Sequence, residues 1–156
     1  MVERTDLKWL LERQLSWISA ADGKIAVLGP VILAMLAISL SDRIASPHPV
    51  GLVDLPLVSS TITLFIALFF IKLTLTPRLL GPPGSNIFFG EIAKRKFASF
   101  QEILKVYSPE DFDDDLISQI HRNAEIANYK HKCVRAIIFW LAIATPLWLT
   151  ALFIGG

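Results

Sequence analysis

Residues 136–156 read AIIFWLAIATPLWLTALFIGG and contain no charged side chain. A helix needs about 20 mainly apolar residues to cross the roughly 30 Å hydrocarbon core of a bilayer. Two further uncharged runs precede it, residues 25–41 (IAVLGPVILAMLAISLS) and residues 55–71 (LPLVSSTITLFIALFFI). Both are at the short end of the required length, and Lys24 and Lys72 at their edges can extend toward water. The three runs predict three membrane-spanning helices.

The composition points the same way. The chain has 156 residues, of which 53% are hydrophobic and 19% are charged, whereas soluble domains carry about 25% charged residues. A soluble domain of this length could hardly bury three such helices and still keep a polar surface. The formal net charge of +1 and the single cysteine, Cys133, argue against a basic nucleic-acid binder and a disulfide-rich secreted scaffold. We therefore expect no nucleic-acid partner.

The predicted fold is an all-α integral membrane protein with three transmembrane helices and a cytoplasmic helical hairpin between the second and the third. The last helix is expected to run from the cytoplasm into the membrane without a break, because no helix breaker occurs between Pro109 and Pro146. Apolar spacing from Ile87 to Tyr107 predicts one amphipathic helix before it. The predicted segments are residues 1–24 (an amphipathic cytoplasmic helix leading into the first span), 25–41 (first span), 42–54 (outer loop), 55–72 (second span), 73–135 (cytoplasmic helical region) and 136–156 (third span).

The distribution of cations predicts the orientation. Residues 72–135 hold ten of the fifteen Lys and Arg residues, whereas the connection at residues 42–54 holds only Arg43. Cytoplasmic segments of membrane proteins collect positive charge. We therefore expect an inner-membrane protein whose amino terminus and long middle segment are cytoplasmic and whose carboxyl terminus is periplasmic.

Enzyme signatures do not occur in the sequence. It has no GxSxG, HExxH, CxxC or GxxxxGK[ST] motif, and none of the three uncharged runs contains an ionisable residue. The acidic residues between Asp111 and Asp115 follow Ser108-Pro109, where carboxylates favour the positive end of a helix dipole. A divalent-cation site in that run is the alternative interpretation. The sequence predicts a protein that is not an enzyme and has no catalytic residue, cofactor or metal ion.

Polar side chains cluster beside the inner ends of the predicted spans. Contact with anionic lipid head groups explains Lys72, Lys132 and Arg135. It accounts poorly for neutral amides such as Asn86 and Gln119. Amides beside arginine and lysine suit a ligand that has both a base edge and a phosphate. Composition alone leaves both interpretations open.

Several motifs occur in a definite order along the chain. They are Gln14 and Ser16 followed by Ala21-Asp22-Gly23-Lys24, then Pro77-Arg78, then Asn86-Ile87-Phe88-Phe89-Gly90-Glu91-Ile92-Ala93, and finally Gln119-Ile120-His121 with Ala124, Ile126, Ala127 and Lys130. Together they cover most of the chain. The sequence resembles the Pycsar transmembrane effector family, bacterial antiphage proteins encoded beside a pyrimidine nucleotide cyclase.

The resemblance implies a receptor for cyclic CMP or cyclic UMP made by a partner cyclase. The activated effector would impair the inner membrane and cause abortive infection. Three spans are too few to enclose a pore, so a homo-oligomer in contact with membrane lipid is expected. The candidate ligand-binding residues are those at which the motifs meet the polar cluster: Asp22, Lys24, Arg78, Asn86, Gln119, Asn123 and Lys130.

A second hypothesis needs no small-molecule ligand. The chain could serve as a membrane anchor or scaffold that recruits a protein partner through its cytoplasmic helices. An apolar stripe left exposed between Phe89 and Tyr107 would favour this hypothesis.

Overall fold

The computed structural model describes residues 3–45, 51–78 and 80–155. Within these residues the chain is helical and has no strand, so the all-α prediction is confirmed. Residues 46–50 of the predicted outer loop lie outside the described part. The helices are α1 (Arg4–Ala45), a short 3-10 helix (Leu52–Asp54), α2 (Leu55–Leu75), α3 (Phe89–Ile92), α4 (Phe97–Val106) and α5 (Pro109–Gly155).

Three helices are long and apolar enough to cross a membrane. The most apolar windows of α1, α2 and α5 have mean hydropathies of 2.1, 2.0 and 2.2. This confirms the three predicted spans in length and composition. Helix α5 is a single helix from Pro109 to Gly155, as predicted from the lack of a breaker before Pro146. The cytoplasmic position of the segment between α2 and α5 stays a prediction.

The chain forms two compact units. The first, here called the polar unit, contains Met1–Ala20 and Pro77–Tyr129. The second, here called the span unit, contains Ala21–Thr76 and Lys130–Gly156. Helices α1 and α5 contribute residues to both units.

The span unit is built around one apolar core. Ile32 of α1, Leu64 of α2 and Ile137 of α5 have no exposed surface. Small side chains let helices approach each other closely in membranes, and Ala67 and Ala144 are equally buried in this core. The core therefore uses one face of each of the three long helices.

Buried hydroxyl groups in the span unit bond to their own helices. Ser39 donates to the Met35 carbonyl at 2.9 Å, and Thr74 donates to the Phe70 carbonyl at 2.8 Å. Ser60 makes the same kind of bond to a carbonyl three residues earlier. Ser39 also joins two helices, since its Oγ accepts a hydrogen bond from Trp148 Nε1–H of α5 at 3.1 Å. Polar groups buried at membrane depth need such partners.

The polar unit corrects one prediction. The single helix expected from Ile87 to Tyr107 is wrong, because the chain turns between α3 and α4. At this turn Arg95 donates to the Gly84 carbonyl at 2.6 Å, and Lys96 has an extended backbone with ψ of 145°. Gly90 also makes α3 a weak helix, because glycine loses more conformational entropy in a helix than other residues. The contact between Arg95 and Gly84 therefore outweighs the apolar spacing that predicted one continuous helix.

Among the glycines of the polar unit, Gly81 has the least room for a side chain. A Cβ atom at Gly81 would lie 2.2 Å from Phe88 Cδ1, close to the base of the ring rather than at its tip. We expect Gly81→Ala to lower the free energy of unfolding by about 1–2 kcal/mol, because overpacking forces neighbours to move. Thermal unfolding of the purified protein in detergent measures this. Gly23→Ala is the control: a Cβ there meets nothing within 4 Å, and because Gly23 lies inside α1 this variant should match or exceed the stability of wild type. Equal stability of Gly81→Ala and wild type would contradict the prediction.

Candidate functional site

Ser85 anchors the turn between α2 and α3 to α5. Its side chain is buried, and its Oγ accepts hydrogen bonds from the Phe88 amide at 2.9 Å and the Ile87 amide at 3.1 Å. Gln119 of α5 is also buried, and its Nε2 donates to the same Oγ at 3.0 Å. One hydroxyl thus joins the turn to the long helix.

A second connection runs through Asp115 of α5. Its Oδ2 accepts a hydrogen bond from the backbone N–H of Asn86 at 2.7 Å and one from the Tyr107 hydroxyl at 3.0 Å. Burial raises the pKa of Tyr107, so the phenol keeps the proton that it donates. The Asp115 carboxylate therefore ties together the turn, the end of α4 and α5.

Arg95 supports the turn from its other side. Its guanidinium donates to Asn86 Oδ1 and to the Gly84 carbonyl. Gly84 has a φ of +76°, a conformation that glycine adopts without strain. Glu91 accepts hydrogen bonds from Lys94 and from the Gly84 amide, and these lower the pKa of its carboxyl group. The turn is held by side chains rather than by regular secondary structure.

A cavity of about 420 Å³ lies beside this turn, and we call it the acidic cavity. Of the described residues that line it, Asp111, Asp114 and Asp115 carry charge, and all three are negative. The remaining lining residues are Pro82, Pro83, Gly84, Ser85 and Asn86 from the turn, Ile103, Val106 and Tyr107 from the end of α4, and Ser118 from α5. Carboxylates only accept hydrogen bonds, so this cavity suits a ligand group that donates them.

A second cavity, of about 500 Å³, is here called the cationic cavity. Arg122 lines it. Its Nε donates to the Leu80 carbonyl and its Nη1 donates to Glu125 Oε2, both at 2.8 Å. Leu80 and Ile117 keep 76% and 51% of their surface exposed. The other described lining residues are Gly81, Pro82, Pro83, Ser118 and His121. The cavity combines a guanidinium with an uncovered apolar wall.

Four predicted ligand residues belong to the polar unit. Asn86 lines the acidic cavity, and Gln119 supports it through Ser85. Asn123 Nδ2 donates to the Gln119 carbonyl at 2.9 Å. The Arg78 guanidinium stacks 3.6 Å from the centre of the Tyr129 ring, a cation–π contact.

The other three predicted ligand residues belong to the span unit. Lys130 forms an ion pair with Asp22, which joins α5 to α1. The Lys130 side chain is 13% exposed and the Asp22 side chain is 43% exposed. Lys24, two residues along α1 from Asp22, is exposed. The structure therefore divides the seven predicted residues between two units.

Sequence reasoning missed several residues of the polar unit. Ser85 directly follows Gly-Pro-Pro-Gly, a turn signal that could have drawn attention to it. Asp115 belongs to the acidic run that a helix start already explained, and Arg95 falls inside a helix that does not form. Tyr129 carries no sequence signal at all. Within the described residues no group of three His, Cys, Asp or Glu side chains could hold a metal ion.

Three apolar helices and a polar unit with ligand-sized cavities define a helical membrane protein with a candidate small-molecule site. The family model for the Pycsar effector protein domain matches residues 6–155. The chain therefore belongs to the Pycsar effector family, which confirms the resemblance seen in its motifs. Membership indicates a membrane effector of antiphage defence. No curated protein and no solved structure matches the chain.

Proposed function

We propose that this protein is an antiphage effector that binds cyclic CMP or cyclic UMP and then impairs the inner membrane, causing abortive infection. The match of the Pycsar effector domain to residues 6–155 carries the proposal. A pyrimidine nucleotide cyclase is the functional partner that supplies the ligand. The proposed function contains no catalytic step and needs no cofactor or metal ion.

The polar unit offers suitable chemistry for this ligand. Its cavities of about 420 and 500 Å³ lie within the range of roughly 300–1,000 Å³ typical of small-molecule sites. Asn86 and the Asp115 carboxylate can bond to a base edge, and Arg122 can bond to a phosphate. Arg78, Gln119 and Asn123 complete the proposed set in this unit.

Activation is proposed to act through a homo-oligomer, with the amino terminus in the cytoplasm and the carboxyl terminus in the periplasm. A ligand shifts an assembly only if it binds one arrangement more tightly than the other. Asp22, Lys24 and Lys130 are the proposed contributors from the span unit, and the Asp22–Lys130 pair is one contact that an anionic ligand could exchange. The exposed apolar faces of the long helices contact lipid or a second copy.

Binding of cyclic CMP, UMP, AMP and GMP to the purified, detergent-solubilised protein tests the proposal. We expect one or both pyrimidine nucleotides to raise the unfolding temperature and to give saturable calorimetric binding, because a ligand that binds only the folded state stabilises it. At a ligand concentration 100 times the Kd, the stabilisation is about 2.7 kcal/mol. The purine nucleotides are the matched controls. Binding of none of the four by folded protein would contradict the proposal.

One observation favours the scaffold as a second candidate function. Phe89 and Phe97 keep 63% and 81% of their surface exposed, and Leu104 keeps 47%. Exposed apolar patches on proteins commonly mark interaction surfaces. A scaffold that recruits a protein partner through α3 and α4 would use these side chains and would bind none of the four nucleotides, so the same titration separates the two functions.

A further inference from the structure

The acidic and cationic cavities adjoin and differ in charge. Both are lined by Pro82, Pro83 and Ser118. Beyond these shared residues, the described lining of one cavity carries three carboxylates, whereas that of the other carries Arg122 and His121. A ligand that crosses the two prolines would meet carboxylates at one end and a guanidinium beside an apolar wall at the other.

The cationic cavity suits a phosphate. A guanidinium has five N–H donors, and Arg122 uses two of them in its bonds to Leu80 and Glu125. Three donors are left for phosphate oxygens, to which arginine binds in a planar, two-pronged manner. The exposed side chains of Leu80 and Ile117 can cover the apolar face of a ribose.

The acidic cavity suits a base that donates hydrogen bonds. Its carboxylates repel a phosphate. Cytosine presents an exocyclic amino group at the position where uracil presents a carbonyl oxygen. A carboxylate accepts a bond from that amino group, whereas uracil offers it only an N3–H between two carbonyl oxygens, which are acceptors that a carboxylate repels. Asp114 is exposed and lines this cavity, so its carboxylate is open to such a contact.

We propose that a cyclic pyrimidine nucleotide lies across Pro82 and Pro83, with its phosphate on Arg122 and its base in the acidic cavity, and that the carboxylates there select cytosine over uracil. This inference rests on the proposed function and goes further by naming the preferred ligand and the orientation in which it binds. It also makes Arg122, which is outside the set predicted from sequence motifs, a phosphate-binding residue.

Calorimetric titration of the full-length protein in detergent with cyclic CMP and cyclic UMP tests the inference. We expect cyclic CMP to bind at least fivefold more tightly than cyclic UMP. Asp114→Asn should reduce this ratio toward one, because an amide can both donate and accept. Glu110→Gln is the matched control, since Glu110 lies one helical turn from Asp114 and carries the same charge but does not line the cavity. It should leave the ratio unchanged.

Arg122→Gln tests the position of the phosphate. We expect it to weaken both nucleotides at least tenfold in parallel, leaving their ratio intact. Because Arg122 also holds the Leu80 carbonyl, Arg122→Lys serves as a second variant that keeps the charge and should bind more tightly than Arg122→Gln. Circular dichroism and the unfolding temperature establish that each variant is folded.

Two results would overturn the inference while leaving the proposed function intact. The first is equal binding of the two nucleotides, or preference for cyclic UMP, by wild type. The second is wild-type affinity of a folded Arg122→Gln variant. Failure of wild type to bind either nucleotide would instead contradict the proposed function itself.

Discussion

An Arg78→Ala variant is expected to need about 10- to 100-fold more cyclic pyrimidine nucleotide for toxicity while it still inserts into the membrane. The Arg78 guanidinium lies 3.6 Å from the Tyr129 ring centre, so a planar cation is held at a defined place beside α5. Hydrogen bonds to charged groups contribute about 1.5–3 kcal/mol, and each 1.4 kcal/mol corresponds to about tenfold in affinity. Viability of cells at graded cyclase induction, with the effector quantified in the membrane fraction, measures the effect.

Three further variants identify what Arg78 contributes. Tyr129→Phe keeps the aromatic face and should behave as wild type, whereas Tyr129→Ala removes the surface on which the guanidinium rests. Arg78→Lys keeps the charge and should show an intermediate sensitivity, because lysine lacks the planar group. Unchanged sensitivity of Arg78→Ala to the nucleotide would remove Arg78 from the proposed ligand set.

The second large effect concerns the ion pair between α1 and α5 in the span unit. We expect Asp22→Ala to lower the free energy of unfolding by about 2–3 kcal/mol. The change leaves Lys130, 13% exposed, without its carboxylate partner, and removing one partner of a buried pair costs about 3–5 kcal/mol. The smaller value is expected here because the Asp22 side chain is 43% exposed. Thermal unfolding in one fixed detergent measures the change.

A charge exchange separates the ion pair from other roles of the two residues. The double variant Asp22→Lys with Lys130→Asp should recover most of the stability lost in either single change, as expected for a direct pairwise interaction. Lys24→Ala is the matched control, because it removes an exposed cation one half-turn from the pair. Equal stability of Asp22→Ala and Lys24→Ala would contradict a stabilising role for the pair.

The long helices could be predicted from sequence because lipid imposes a simple requirement. Uncharged runs such as residues 136–156 are rare in soluble proteins and satisfy the length that a span needs. The turn between α3 and α4 could not be predicted in this way. It depends on Arg95 meeting Gly84 and Asn86, and no periodic pattern encodes contacts of this kind.

The candidate site could be predicted only in part, because its contacts also join residues that are distant in sequence. The motifs drew attention to Asn86 and Gln119, which take part in the network of the polar unit. The residues that form hydrogen bonds with them, Ser85 and Asp115, were not predicted. Asp115 lies 29 residues from Asn86, and Gln119 lies 34 residues from Ser85. Such pairings arise only when the chain folds, so residue type and spacing could suggest the members but not the arrangement.

The hydroxyl groups buried in the span unit bear on how this protein is made. Because Ser39, Ser60 and Thr74 bond to carbonyls of their own helices, each helix has these polar groups satisfied before it meets its neighbours. Helices of this kind can enter the bilayer one at a time during synthesis and associate afterwards. The bond from Trp148 to Ser39 forms only in that later step. Insertion of the helices into the membrane and their packing against each other can therefore be separate steps.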